Sequence, residues 1–488
     1  MQQLTTLARD SRALAALAVP LALTQLAQVA LTTTDTIMMG VLGTEALAAG
    51  GLALVIFNQL RTMGVGLVTS VGNQVAAAAA RAEQADSARA EQADSARAEQ
   101  TDGGVDAQRR ADDEVRGLVR AALAVATLAG IAGAVLMVLI GQAATLLGQE
   151  AAVAHRTQGM LAALAPGLLP CLWFQAIRQF TVGMRRPQAL LQITLVSVAV
   201  NAALNWAFIH GSWGFPKLGL TGIGVATSCV HLLSFLALYG SARRDPLLGP
   251  LLSLRAWRAD LPTVRRLLGL GTPIAATYGS EAGFFSVTAL LAGSFGAAAL
   301  AAHTAVNQLI YLVFQVAVGL SHAASINVSR ELALGDYPAA RRIRNTALAC
   351  GAVVMTVVGT VYLALPELVL RPYFDPSSAA DQQGLDIATG LLGVVAVLQF
   401  FDCAQNIGVG LLRGLDDTRS GFRITLVGYW LVGLPAAWLL AYPLGGDTRG
   451  LWLGLLIGLA TTAVLLLRRY GRALASRATD TQEPVPAV

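Results

Sequence analysis

Long apolar runs dominate this sequence, and they leave a bundle of membrane-spanning helices as the fold it can adopt. At 1.5 Å per residue, each run is long enough as a helix to cross, or nearly cross, a hydrocarbon core of about 30 Å. Charged residues are only 13% of the 488-residue chain, against about a quarter in soluble domains. We therefore predict an all-α polytopic membrane protein. Its twelve predicted spans are residues 14–38, 47–77, 117–146, 160–183, 188–210, 220–242, 267–294, 299–328, 345–370, 386–412, 420–442 and 450–467.

The chain also contains an internal repeat. Residues 20–75 align without a gap on residues 273–328, and prolines, glycines and turn positions coincide. Each copy has six predicted spans, so both copies have the same orientation in the membrane. This arrangement predicts two six-helix bundles related by a pseudo-twofold axis along the membrane normal. The matched positions include Pro20 with Pro273, Gly40 with Gly293 and Gly43 with Gly296.

The repeat divides the chain into predicted regions. Residues 1–242 form an N-terminal six-helix bundle, which includes a low-complexity cytoplasmic insert at 81–116 with the duplicated unit AEQADSAR. Residues 243–266 form a cytoplasmic linker in which we expect a short amphipathic helix. Residues 267–467 form the C-terminal six-helix bundle. The polar tail, residues 468–488, is expected to be cytoplasmic and disordered.

The distribution of basic residues predicts the orientation of the spans. Most of the 34 Lys and Arg residues lie in segments on the same side of the membrane as the N-terminus. Because basic loops stay in the cytoplasm, both termini are predicted to be cytoplasmic, in a multi-pass protein of the bacterial inner membrane.

Three acidic residues of the predicted spans are candidate functional residues, because an ionisable side chain inside a span is costly, whereas Glu367, near the end of its span, is expected at the outer interface. Asp35 lies in the first span, Glu281 in the seventh and Asp402 in the tenth. In the repeat alignment Gln28 corresponds to Glu281, seven residues from Asp35 along a helix. Since seven residues are almost two turns, Asp35 and Glu281 fall on equivalent helix faces. A carboxylate can bind a proton or, with amide oxygens, a monovalent cation, so Glu281 and Asp402 form a candidate metal site. The alternatives are structural acids that join two helices or, for Asp35, a residue at the mouth of its span.

Other polar residues accompany these acids. Asn201 and Asn205 are four residues apart on one helix face and, with Gln28, could complete a hydrogen-bond network or substrate site around Asp35. Interhelical hydrogen bonding is the competing interpretation. Arg61 and Arg178 lie within spans, where each could pair with a carboxylate or bind an anionic group.

Several classes of function are not indicated. The basic residues are not interleaved with aromatic residues as in nucleic-acid-binding proteins, and the four cysteines show no zinc or disulfide spacing. No nucleophile elbow, Walker loop or HExxH motif is present, so we expect neither a membrane enzyme nor an ATP-driven pump. No cofactor is expected.

The motifs TTDTIMMG, GTEALAA, NAALNWAFIHG, SFGAAALAAHTAVNQL and GLLRGLDDTR occur in this order along the chain. With them the sequence resembles the multidrug and toxic compound extrusion (MATE) family, and its acids in spans one, seven and ten resemble the NorM branch. The resemblance implies that Asp35 is the N-lobe acid and that Glu281 and Asp402 form the C-lobe cation site. Two positions depart from relatives. Asn205 stands where some have Asp, and Leu398 stands where some have Tyr.

The resemblance implies a secondary active multidrug exporter that exchanges organic, often cationic, compounds for Na⁺ or H⁺ by alternating access. A monomer would suffice, since one chain carries both halves, and the expected partners are cationic drugs or dyes and the lipid bilayer. The alternative is a flippase for lipids or polysaccharide precursors from the same superfamily, which would need more cationic residues in its cavity.

Overall fold

The structure, a computed structural model, describes residues 2–95, 103–143, 151–375, 377–378 and 381–480. Helices and their connecting turns account for this part of the chain, which contains no β-strand. The α-helices are α1 (Gln2–Val41), α2 (Thr44–Thr69), α3 (Val71–Ser95), α4 (Gly103–Gln142), α5 (Ala151–Gly183), α6 (Gln188–His210), α7 (Leu220–Arg244), α8 (Leu261–Gly293), α9 (Ala297–Ala333), α10 (Tyr337–Ala364), α11 (Pro366–Leu370), α12 (Gln382–Gly414), α13 (Thr418–Leu426), α14 (Leu434–Ala441) and α15 (Asp447–Asp480).

The all-α membrane fold predicted from the sequence is confirmed. Among the described residues, eleven helical segments are long and apolar enough to cross a membrane. The one predicted span outside these eleven segments is the seventh, 267–294. It is the greater part of α8, which has 33 residues but is less apolar because Glu281 and several small polar residues interrupt it. At 1.5 Å per residue α8 is still about 50 Å long.

A π-helical segment, Val427–Gly433, joins α13 to α14. Pro435 follows directly and has no backbone N–H to donate to the preceding turn, which favours a local change of hydrogen-bond pattern. Gly428 and Gly433 both lie close to Gly458 of α15, and the Thr462 side chain of α15 also faces Gly428, so the widened segment packs tightly against α15. This segment carries Tyr429, which is fully buried.

The sequence repeat is visible in the backbone. Gly43 and Gly296, which the repeat aligns, precede α2 and α9 with φ of 103° and 104°. A residue with a side chain rarely adopts this φ, so glycine is required at both turns. The agreement of the two conformations supports a structural duplication.

Contacts divide the chain into two compact units. Unit A is Leu23–Ala276, and unit B is Met1–Ala22 together with Thr277–Val488. The division therefore falls within α1 and within α8, whereas the predicted bundles meet at the linker 243–266. The first part of α1 belongs to unit B, and the first part of α8 belongs to unit A.

Two close glycine contacts hold these helix halves. In unit A, Gly66 of α2 lies against the backbone of Ala275 in α8, and a Cβ on Gly66 would be 2.6 Å from the Ala275 Cα. In unit B, Gly319 of α9 lies against Ala22 of α1, with the corresponding distance to Ala22 N at 2.7 Å. Glycine allows both close approaches. The two pairs are equivalent in the repeat, so the duplication extends to tertiary contacts.

Outside the spans, the structure refines three expectations. In the linker, the structure has two three-residue 3₁₀ turns, Gly249–Leu251 and Ala256–Arg258, in place of the expected amphipathic helix. In the insert, α3 continues to Ser95 and α4 begins at Gly103, while residues 96–102 lie outside the described part. Disorder from residue 468 onward was a wrong prediction for 468–480, because α15 continues to Asp480 and Tyr470 is fully buried.

Candidate functional site

Asp35 is buried in unit A, with 1% of its surface exposed, and neutral donors hold both of its carboxylate oxygens. Asn205 of α6 donates its Nδ2–H to Oδ1 at 2.8 Å, and Thr227 of α7 donates its hydroxyl to Oδ2 at 2.9 Å. Asn205 Nδ2 also donates to Asn201 Oδ1 at 3.1 Å. The structure thus brings Asn201 and Asn205 to Asp35, as the spacing of the two amides suggested. The Asp35 carboxyl group therefore connects α1 to α6 and α7.

This network is incompletely satisfied. The Nδ2 group of Asn201 and the Oδ1 atom of Asn205 are buried without a hydrogen-bond partner. Buried polar groups are normally paired with protein or with ordered water, and leaving one unpaired costs roughly 1–3 kcal/mol. The network therefore has capacity for one more donor and one more acceptor near Asp35.

Asp35 forms part of the wall of a cavity of about 60 Å³ in unit A. Polar lining comes from α1, where Gln28 and Thr32 accompany Asp35, and from Arg61 of α2 and His231 of α7. Aromatic lining comes from Phe57 of α2 and Phe174 of α5. Aromatic side chains and a buried acid are groups that bind an organic cation, but a volume of about 60 Å³ is well below the roughly 300–1,000 Å³ of small-molecule sites, so the cavity must widen to admit one.

Arg61 and Arg178, the two arginines that the sequence analysis considered, differ in their relation to this cavity. Arg61 lines it and donates from Nε to Asn58 Oδ1 at 3.2 Å. Arg178 is buried and does not line the cavity. Its Nη1 donates a hydrogen bond at 3.2 Å to Gln175, which does line the cavity. Arg61 therefore places a positive charge on the same wall as Asp35.

Unit B has a second acidic site, which is formed by a pair of acids, Glu281 of α8 and Asp402 of α12. They are close enough to repel each other when both are ionised. Asp402 Oδ1 accepts hydrogen bonds from the side-chain amides of Gln405 and Asn406, each at 3.3 Å. Tyr429, from the π-helical segment, donates its hydroxyl to Glu281 Oε1 at 3.4 Å. Neutral N–H and O–H donors therefore surround the two carboxyl groups, and a proton or a monovalent cation would neutralise their charge.

A cavity of about 20 Å³ adjoins Glu281, large enough for about one water molecule. Arg413 of α12 lines it, is 3% exposed and donates from Nη2 to Tyr278 Oη at 3.4 Å. The Nε and Nη1 groups of Arg413 have no hydrogen-bond partner. Within the described ranges, no three His, Cys, Asp or Glu side chains lie together as a metal site.

Four site residues were missed by the sequence analysis: Thr227, His231, Arg413 and Tyr429. Arg413 lies within GLLRGLDDTR, one of the motifs that carry the family resemblance, and this was its available signal. His231 was not singled out from the sequence, and it lines the Asp35 cavity. Tyr429 had no signal, because its contact with Glu281 spans 148 residues of sequence. Leu398, at which some relatives have Tyr, is buried in the apolar core of unit B.

Comparison with known proteins decides the family. The sequence matches the family described as MatE over residues 110–207 and 273–439, which together are more than half of the chain. The chain belongs to the MatE family. This MatE-family chain is 34% identical to a probable multidrug resistance protein NorM of Mesorhizobium japonicum, over 95% of this chain and 94% of the relative. It is 36% identical to a probable multidrug resistance protein NorM of Bradyrhizobium diazoefficiens, over 94% and 93% of the two chains.

Solved structures share the MatE-family fold at low sequence identity. One, a multidrug resistance MATE family transporter of the MOP superfamily in an outward-facing conformation, superposes with a TM-score of 0.81 at 15% identity. The match covers 96% of each chain. The predicted family and fold are therefore both confirmed.

Proposed function

We propose that this chain is a secondary active exporter that moves organic cations out of the cell in exchange for H⁺ or Na⁺. The observation that carries the proposal is Asp35, a buried carboxyl group on the wall of an aromatic-lined cavity, held only by neutral donors. Relatives named as multidrug resistance proteins NorM support the substrate class. No catalytic role is assigned to any residue.

In the proposed mechanism, Asp35 is either protonated or binds the cationic substrate. A carboxylate in an apolar span is costly unless its charge is neutralised, and a proton or an organic cation can each neutralise it. Proton and drug therefore compete for one group, which gives the two states of the transporter different affinities for substrate. Such differential affinity is what ion binding needs in order to shift the conformational equilibrium.

Glu281 and Asp402 are proposed as a second coupling site, in unit B. Because the two carboxylates repel each other, a cation or proton that binds between them is stabilised. Tyr429, Gln405 and Asn406 supply the neutral groups around it. Gln28, Asn201 and Asn205 are proposed to position Asp35 or to contact substrate in unit A.

The proposed setting is the bacterial inner membrane, with both termini in the cytoplasm, where basic loops are retained. A monomer is proposed, because one chain contains both coupling sites.

The test is efflux of ethidium from proteoliposomes, with a pH gradient and a Na⁺ gradient imposed separately. Asp35→Asn should reduce the initial rate at least tenfold, because Asn can neither bind a proton nor attract a cation by charge. Glu281→Gln and Asp402→Asn should change which gradient drives efflux. Glu45→Gln is the matched control, since Glu45 is an exposed acid that forms an ion pair with Arg156 at 3.0 Å, outside the cavity. Full efflux in all three variants would contradict the proposal.

A lipid or polysaccharide-precursor flippase is the second candidate, and the two cavity-lining arginines favour it. Arg61 lines the unit A cavity and Arg413 the unit B cavity, and either could bind an anionic headgroup. Translocation of a fluorescent anionic lipid, lost in Arg61→Gln and accompanied by no ethidium efflux in the parent protein, would establish this function instead.

A further inference from the structure

A second opening in unit A lies between α6 and α7. It is a groove of about 360 Å³ whose apolar lining is Ile193, Val196, Val200, Val230, Leu233 and Ala237. Val196 and Leu233 are 62% and 50% exposed on helices that are candidate membrane spans. Exposed aliphatic side chains on spans contact hydrocarbon, so this groove is open to the bilayer.

The groove and the Asp35 cavity share a wall. Ser197 of α6 and Ser234 of α7 line both, and their Oγ atoms are 2.7 Å apart. The same interface leads to the acid. Asn201 lies one turn beyond Ser197, and Thr227 lies two turns before Ser234, or about 6 Å and 10 Å along their helices. The serine pair therefore separates an apolar compartment from an acidic one.

The hydrogen bonds of this pair allow it to part at low cost. Ser197 Oγ is 2.7 Å from the carbonyl oxygen of Ile193, and Ser234 Oγ is 2.7 Å from that of Val230. The two hydroxyls have one proton each, so two protons are shared among three contacts, the two with carbonyl oxygens and the one between the serines. If α6 and α7 separate, each hydroxyl still donates to its own helix, so no donor is left unpaired in the membrane.

We propose that the α6–α7 groove binds the apolar part of a lipophilic organic cation taken from the bilayer, and that Ser197 and Ser234 form the gate through which it reaches the Asp35 cavity. The inference rests on the proposed export function. Lipophilic cations are concentrated in membranes, and the groove volume falls within the range of small-molecule sites, about 300–1,000 Å³. The groove lining contains no charged residue. The first acid on the route is Asp35, which would receive the positive charge.

The first test fills the groove. Val196→Trp should raise the KM for tetraphenylphosphonium efflux at least fivefold in proteoliposomes, with little change in kcat, because the ring occupies the binding volume. Leu195→Trp is the matched control: Leu195 is the preceding residue of α6, 54% exposed, and not part of the groove lining. The KM of Leu195→Trp for tetraphenylphosphonium should stay within twofold of the parent value. Equal kinetics for the two variants would overturn the groove as a substrate site and leave it a place for lipid only.

The second test closes the gate. Ser197→Cys with Ser234→Cys, in a chain whose four native cysteines are replaced by serine, should form a disulfide, because the parent oxygens are already 2.7 Å apart. Oxidation should abolish tetraphenylphosphonium efflux and reduction should restore it, while Ser197→Cys alone should not respond. Unchanged efflux after complete cross-linking would overturn the gate. Absence of efflux in the parent protein would instead overturn the proposed export function.

Discussion

At the scale of single residues, the two repeats have diverged in where they carry charge. The position equivalent to Asp35 is Thr288, which is buried and donates its hydroxyl to Phe285 O of its own helix at 2.9 Å. The position equivalent to Glu281 is Gln28, a neutral residue on the Asp35 cavity wall. The two copies of this helix therefore carry their acid at different positions, Asp35 in α1 and Glu281 in α8.

Tyr429 offers a residue-scale prediction for that pair. Tyr429→Phe removes the hydroxyl donor to Glu281 and keeps the ring, which stacks on Phe284 with centroids 4.8 Å apart. A hydrogen bond to a charged group is worth roughly 1.5–3 kcal/mol. We expect the apparent affinity for the coupling ion, measured from efflux, to fall at least fivefold, and the melting temperature to stay nearly unchanged.

A second buried tyrosine in the same core provides the control. Tyr362 donates its hydroxyl to the backbone oxygen of Leu309 at 3.3 Å, away from both acids. Tyr362→Phe should therefore leave the ion dependence as in the parent. If both variants shift it equally, the effect is one of packing rather than of the Glu281 contact.

The residue scale also shows the limits of sequence reasoning. Asp35, Glu281 and Asp402 could be located because a charge in an apolar run is visible without any structure. Their neutral partners could not all be located. Thr227 is an ordinary residue in a membrane helix until folding brings it to within 2.9 Å of Asp35, and no periodicity encodes a contact across 192 residues.

At the scale of helices, close packing depends on a few glycines. Gly66→Ala would place a methyl group 2.6 Å from Ala275 Cα, and overpacking of this kind costs about 1–3 kcal/mol. We expect a lower melting temperature and lower yield. Gly51→Ala on the same helix has no atom within 4 Å of the new methyl group and should be neutral or stabilising, by up to about 1 kcal/mol. Equal effects of the two substitutions would show that the α2–α8 contact is not tight.

The start of α13 supports a prediction about pH. Burial alone would raise the pKa of Asp417, but hydrogen bonds from Ser420 and Arg469 hold this pKa below its ordinary value. The carboxylate accepts from Ser420 N at 3.3 Å and pairs with Arg469 at 2.7 Å. Because the folded pKa is depressed, the stabilisation is complete above the unfolded pKa of about 3.9 and is lost as pH falls through the folded value.

Asp417→Asn should therefore lower the melting temperature at pH 7, and the difference from the parent should narrow below about pH 4. A partly exposed pair of this type contributes on the order of 0.5 kcal/mol. Arg469→Gln should show the same narrowing. A difference that is constant from pH 7 to pH 3 would exclude the ion pair as its source.

Helix positions were largely predictable, because runs of about 20 apolar residues have few alternatives in a membrane. The breaks within them were less so. The run 420–442 was predicted as one span, and the structure has one candidate span there, Thr418–Ala441, but a π-helical segment joins α13 to α14 within it. Pro435 signals a disturbance, but the register of the widened turn depends on packing against Gly458, which is remote in sequence.

At the scale of the whole molecule, contacts do not follow the order of the two repeats. The first part of α1 packs in unit B, and the first part of α8 packs in unit A. A chain cut in the linker, between Arg244 and Leu261, separates each helix half from its partner. We expect the two fragments to co-purify when they are expressed together, and each to be degraded or aggregated when expressed alone.

The readout is recovery of the untagged fragment on a tag carried by the other. A fragment that is stable and monodisperse by itself would show that the exchanged helix halves are dispensable. The repeat alignment suggested two bundles that meet at the linker, and it could not show the exchange, because contacts such as Gly319 with Ala22 connect one copy to the other rather than positions within a copy.

The exchange of helix halves also bears on how such a chain could have arisen. If two identical six-span proteins once formed a dimer, each would have packed the start of its first helix in the other. Fusion of their genes would then have preserved this exchange of helix halves in one polypeptide. Consecutive parts of one helix then belong to different units, as in α1 and α8. A truncation that removes residues 1–22 leaves Asp35, thirteen residues later, in place and removes the packing partner of Gly319, about 300 residues away along the chain.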